Sequence, residues 1–213
     1  MTTQKSKTKS RGWLKWLGRL TGVGLAAAVS GASLFMIVFS VVYSQLPPID
    51  SLTEYKPKVP LRVWSADGTL IGEYGEERRD FVRLDEIPGF VRNAVLAAED
   101  NGFYEHSGIE FMGIARAALS NILTGRRGQG GSTITMQVAR NFFLSSERTY
   151  TRKLYEVAMA YKIERHLTKD QILEVYLNQI YLGQRAYGFA SAAQVYFGKK
   201  LNELTIGEAA TIA

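Results

Sequence analysis

From Leu20 to Ile49 the chain carries no charged residue, and Leu25 to Val42 is almost continuously apolar. A stretch of that length leaves few choices, because about 20 apolar residues in a helix cross a bilayer. Lys5, Lys7, Lys9, Arg11, Lys15 and Arg19 stand directly before it, with no acidic residue among residues 1–49. Cations on that side predict a cytoplasmic N-terminus and an exported body. The competing reading is a cleaved signal peptide, whose apolar region usually runs about 7–15 residues. This run is longer, and no convincing small-x-small site follows it. We therefore expect a basic tail over 1–19 and an uncleaved anchor over 20–46.

Those six cations account for the formal net charge of +6. Removing them from the 26 Lys and Arg leaves 20, matched by 20 Asp and Glu. A formally neutral body lacks the basic footprint of a nucleic-acid binder, so no nucleic-acid partner is expected. The absence of cysteine fits an exported domain without disulfides but does not demand one. At 213 residues, 46% of them hydrophobic, the chain can bury a sizeable core and hold one domain.

Pro47-Pro48 ends the span, and 47–60, with Pro57 and Pro60, reads as an extended linker. Arg62-Val63-Trp64 and Leu70 to Tyr74 flank the turn residues Asp67-Gly68, which predicts a hairpin within 61–84. It is the one clear β signal.

The remainder reads as helices. Pro88 suits a helix start, and Val91, Ala94, Val95 and Ala98 form an apolar stripe behind it. Glu99 extends that stripe at the helix end, where burial and the dipole would both raise its pKa toward a general base's range. A buried Glu paired with an Arg is the structural alternative. Ser107 and Glu110 read as a capping box for a helix with the stripe Ile109, Met112, Arg116/Ala117 and Leu119, closed by Gly125. His106 alone makes no metal site. Arg126 to Gly131 is a cationic, glycine-rich loop entering Ser132-Thr133, a helix start at which free N–H groups would welcome phosphate; a plain surface loop has the same composition. Arg148, Arg152 and Glu156 recur every four residues, with Lys153 three before Glu156, which alone could be a solvated ion-pair row. Thr168 and Gln171 form a second capping box, and Ile172, Leu173, Val175, Tyr176, Leu177 and Ile180 give that helix a core face.

In this order the segments resemble glycosyltransferase family 51, the peptidoglycan polymerase domain. E-D-x-x-F-x-x-H-x-G is matched by Glu99, Asp100, Phe103, His106 and Gly108. G-x-S-T-I-T-Q-Q is met by Gly130, Ser132, Thr133, Ile134, Thr135 and Gln137, with Met136 where the first Gln is usual. R-K-x-x-E appears as Arg152, Lys153 and Glu156, and I-L-E-x-Y-L-N as Ile172, Leu173, Glu174, Tyr176, Leu177 and Asn178. A final A-A-x-x-Y-F-G-K runs from Ala192 to Lys199. Arg140 to Leu144 and Tyr181-Leu182-Gly183 extend the likeness to class A penicillin-binding proteins of the 1A type.

The resemblance implies a mainly α, lysozyme-like glycosyltransferase domain over 61–213, with a small β-hairpin, behind one transmembrane helix. It would act at the outer face of the cytoplasmic membrane, with lipid II, the growing glycan strand and other cell-wall synthesis proteins as partners. A β-1,4 bond would form with inversion and undecaprenyl diphosphate would leave. Glu99 would be the general base, and Glu156 would organise cations or a divalent ion. Asp100, Phe103, His106, Gly130, Ser132, Thr133 and Gln137 would shape the pocket; Arg140, Asn141, Arg148, Arg152 and Lys153 would meet the substrate. Mg²⁺ or Mn²⁺ on the substrate diphosphate is implied, with no organic cofactor and no ligand cluster visible. Met136 would cost one amide toward the sugar or its neighbours, a tuning change because Gln137 is retained. Two other readings stay open: a lytic, lysozyme-like enzyme, and a non-catalytic membrane-anchored scaffold. Gly207 to Ala213 is an apolar helical pattern without a terminal cap, read as a domain cut short whose last helix lacks partners. Members of the 1A type continue into a transpeptidase domain. The one S-x-x-K match, Ser6 to Lys9, lies in the leader and is discounted.

Overall fold

The computed structural model describes residues 11–53, 61–75, 78–125, 131–144 and 150–213. The chain divides into two compact units at Gln45/Leu46. The first contains α1 (Arg11–Ser44), whose segment Gly18–Ser44 is long and apolar enough to cross a membrane. Its 27 residues rise roughly 40 Å, beyond the ~30 Å hydrocarbon core. Phe35, Phe39 and Tyr43 stack along one face at helical spacing, with centroids 6.0 and 6.2 Å apart. Large apolar side chains such as Leu25, Leu34, Met36 and Ile37 are exposed along it, as lipid contact would require.

The second unit begins with a short helix, α2 (Asp50–Thr53), and Leu46, Ile49 and Leu52 are buried. The start of the expected linker is thus part of this unit; 54–60 lie outside the described residues. The hairpin forms as expected. Strand β1 (Leu61–Trp64) pairs antiparallel with β2 (Leu70–Tyr74), Leu61 opposite Tyr74, with an irregularity between Val63 and Trp64. Gly68 supplies the positive φ of its turn. A second pairing escaped the sequence reading: β3 (Arg78–Arg79) runs parallel to β4 (Ala186–Tyr187). Two-residue strands carry no alternation to detect.

The helical body comprises α3 (Gly89–Glu99), α4 (Phe111–Thr124), α5 (Ile134–Phe143), α6 (Tyr150–Glu164), α7 (Lys169–Gln179), α8 (Phe189–Phe197) and α9 (Ile206–Ile212). Helix α5 packs on both α6 and α7, and α3 packs on α9. Ile134, Met136, Val138, Met159, Ile163, Ile172, Leu173 and Leu177 fill the space between α5, α6 and α7, fully or almost fully buried. Each such side chain contributes roughly 1.5–3 kcal/mol. Lys162 on α6 donates to the carbonyls of Leu46 (3.3 Å) and Pro47 (2.8 Å), tying down the entry to the unit. Gly188 lets α8 approach α7: a Cβ there would lie 2.8 Å from the Asn178 carbonyl oxygen. The expected capping box Thr168/Gln171 starts α7.

Three expectations are corrected. The helix after His106 starts at Phe111, not at a Ser107/Glu110 box, because Gly108 sits at φ +86 and interrupts any helix there. Its expected stripe is buried only at Ala117, while Met112 and Leu119 are exposed. The last helix does not lack partners. Thr205 and Glu208 cap it reciprocally, and Ala209 and Ile212 are buried where it meets α3 and α8.

Glu208 also accepts from Lys199 Nζ at 2.6 Å, which together with the cap holds its carboxyl down to about 2. A depressed carboxylate stabilises the fold above its unfolded value, about 4.3, and that contribution is lost as pH falls toward 2. Glu208→Gln should therefore flatten the acid limb of a thermal-unfolding profile below about pH 4.5. An unchanged limb would show that the exposed pair is screened to nothing.

Candidate active site

Helix α5 organises the site from its N-terminus. Thr133 caps it, accepting from the Met136 amide, and its hydroxyl donates to the Gly108 carbonyl at 2.6 Å. Asp100, the residue after α3, is buried and accepts from the Ile134 amide at 3.0 Å. The same carboxylate meets His106 Nε2 at 2.9 and 3.0 Å. His106 Nδ1 accepts from the Gly108 amide at 3.1 Å, which assigns the ring proton to Nε2. Phe103 is fully buried beneath this turn, edge-on to His106. Asp100, Phe103, His106 and Thr133 therefore lock the loop after α3 onto α5. Asp100, Phe103 and Thr133 are buried, so any part they have in shaping the site is played from beneath its surface.

The same bonds correct the phosphate reading of this helix start. The Ile134 and Met136 amides are taken by Asp100 and Thr133, and the Gln137 amide by the Thr133 carbonyl. Gly130 and the cationic loop 126–129 lie outside the described residues.

Glu99 is the last residue of α3 and is exposed, not turned inward. Val91 and Val95 bury the helix up to one turn earlier, but Ala97 and Ala98 already face solvent. The core ends before the helix does. Gln137, itself buried, donates its amide to Glu99 Oε2 at 2.6 Å, and among the described residues Oε1 has no hydrogen-bond partner. Nearby, the buried Tyr176 phenol is pushed above its ordinary value by desolvation first and by the Glu99 charge second, opposed by Arg140. Both charges are close enough to act on Tyr176, which the sequence reading placed in the core and which is buried. Asn141 is exposed one residue on.

Across α5, helix α6 presents the cations. Glu156 is 2% exposed and holds Arg152 on one oxygen and Lys153 Nζ (3.0 Å) on the other. Lys153 also donates to Ser132 Oγ at 2.7 Å, while its side chain stays 42% exposed. The carboxylate at the centre is buried, unlike that of a solvated row; Arg148 lies outside the described residues. Each Glu156 oxygen accepts from one cation, so the residue orients Arg152 and Lys153. Among the described residues no group of three Asp, Glu or His could hold a metal. An ion carried on the substrate diphosphate, as the resemblance implies, needs no such cluster.

Helix α7 supplies a clamp that the sequence did not announce. Asn178 accepts from the Val82 amide and donates to the Val82 carbonyl, and Glu174 accepts from the Leu84 amide at 2.7 Å. One turn apart on α7, they stand in for a β-partner and hold the segment leading into α3.

Met136 is fully buried in the core. Of the two partners expected for the missing amide, sugar or neighbouring groups, a fully buried side chain leaves the neighbouring groups. Met136→Gln, nearly equal in volume, should leave turnover within about twofold and destabilise by about 1–3 kcal/mol through a buried amide. A large kinetic effect at unchanged stability, in parallel turnover and urea-unfolding measurements, would contradict this.

The transglycosylase family matches residues 67–213. Penicillin-binding protein 1A of Neisseria gonorrhoeae is 56% identical over 192 residues, covering 90% of this chain and 24% of that protein. Penicillin-binding protein 1A of Escherichia coli (strain K12) is 51% identical over 183 residues, covering 86% and 22%. A crystal structure of penicillin-binding protein 1A from Haemophilus influenzae aligns over 74% of this chain and 14% of its own, at 30% identity and a TM-score of 0.34. The chain spans about a quarter of the length of the curated relatives it matches.

Proposed function

Because the chain belongs to the transglycosylase family of peptidoglycan synthesis, we propose that it polymerises lipid II into β-1,4-linked glycan. Glu99 Oε1 takes the proton from the 4-hydroxyl of an incoming lipid II. The freed oxygen attacks the anomeric carbon of the growing strand and inverts it. Undecaprenyl diphosphate leaves with the bonding pair. Its growing charge is met by Lys153, whose ammonium is accessible, backed by Arg152 and, on the Tyr176 side, by Arg140; fixed cations aimed at a departing anion lower the barrier. Glu156 acts through Arg152 and Lys153 as a positioning residue. Any divalent ion would travel on the diphosphate.

One observation carries this reading. Helix α5 holds the base through Gln137, and Ser132, the residue just before its N-cap, holds the half-exposed Lys153 ammonium. Base and leaving-group stabiliser therefore flank one site. The six leader cations support a cytoplasmic N-terminus and a body on the outer face of the membrane. Phe111, Met112, Ile122 and Leu123 of α4, 73–78% exposed, suit apposition to a lipid surface where the substrate resides. The lytic alternative needs a Glu but gains nothing from the cationic triad. The chain should consume lipid II and leave purified sacculi intact; soluble muropeptides released from sacculi, with lipid II untouched, would overturn the proposal.

A further inference from the structure

Behind the loop that follows Glu99 lies a second charged cluster with no part in the chemistry above. Lys169, at the start of α7, meets Glu164 Oε1 at 2.7 Å, with the two side chains only 19% and 9% exposed. Thr135 on α5 donates its hydroxyl to that same oxygen at 2.6 Å. The Lys169 ammonium also sits 4.4 Å from the centroid of the buried Phe103 ring. Gly108 presses on the pair from the other side: a Cβ there would lie 2.8 Å from Glu164 Cγ. One ion pair thus touches the loop carrying Phe103 and Gly108 and the helix carrying Thr135.

Those are the two segments that set Glu99. The loop continues from Glu99 through Asp100, and α5 supplies Gln137, two residues beyond Thr135. Side chains two apart on a helix point to different sides, so Thr135 can face the cluster while Gln137 faces the cleft. Breaking a buried pair by removing one partner strands a charge among packed groups. Here the stranded charge would loosen the two segments against each other.

We propose that Glu164 and Lys169 are positioning residues that brace the Glu99 carboxylate from behind, by fixing the α5 helix against the loop that follows α3. The kinetic part rests on the polymerase reading; the bracing does not. Lys169→Met should lower kcat for lipid II on the order of tenfold while KM moves less than about twofold, since a displaced base slows chemistry more than binding. Lys169→Arg, which keeps the charge, should restore most of kcat. Hydrogen exchange supplies a readout independent of substrate. In Lys169→Met the amides of Ile134 and Gly108, held by Asp100 and His106, should exchange about tenfold faster or more, and the Ala192 amide in α8 should not. Should Lys169→Met fold poorly, Thr135→Val, which removes one hydroxyl from the cluster, should show the same pattern at smaller amplitude. Unchanged exchange at Ile134 and Gly108, or a normal kcat alongside lowered thermal stability, overturns the bracing. Wild-type protein that fails to use lipid II while the exchange pattern appears would sink the polymerase reading alone.

Discussion

Glu99→Gln should reduce lipid II polymerisation by at least about a hundredfold, the usual range for losing a positioned general base being about 10²–10⁴. The substitution keeps size and shape, and a Gln oxygen can still accept from Gln137. KM for lipid II and the unfolding temperature should therefore barely move. The exposure of Glu99 sharpens this expectation, because an exposed end-of-helix residue with one hydrogen bond has little structural duty to lose. Normal strand synthesis by this variant, followed as glycan product over time, would remove Glu99 from the mechanism.

Glu156→Ala should act differently, on stability and activity together. It strands Arg152 and Lys153 beside a buried vacancy, which typically costs about 3–5 kcal/mol when one partner of a buried pair is removed. Lys153 would also lose one of two fixed points, keeping only Ser132, so stabilisation of the departing diphosphate should weaken and kcat should fall with it. Urea unfolding and single-turnover rates measured on the same preparation separate the two losses. A stability change under about 1 kcal/mol would place Glu156 in the solvated row that its spacing alone permitted.

The sequence was most legible where one pattern had one physical meaning. The uncharged run after six cations was long enough to favour a membrane-length helix over a signal peptide, and Asp67-Gly68 between apolar runs marked a hairpin turn. The five motifs located the polar residues of the site but not their orientation. Glu99 falls on the Val91–Val95 stripe by helical arithmetic, yet periodicity does not say where along a helix the core stops. Asp100, Phe103 and Thr133 lie among the motifs, but they are spent on holding backbone amides, carbonyls and packing. The stripe of α4 was legible as apolar but not as exposed, since composition does not name the partner of an apolar face. The Glu164–Lys169 pair gave no signal at all. It joins a helix end to the next helix start, and its meaning comes from Phe103 and Thr135, which are far away in sequence.

The most direct measurement counts products. Wild-type chain incubated with lipid II should release one undecaprenyl diphosphate for each disaccharide added, with every new linkage β from an α-linked donor. Linkages of retained configuration, or disaccharide addition without matching release of the diphosphate, would contradict a single inverting displacement in which Glu99 takes the acceptor proton.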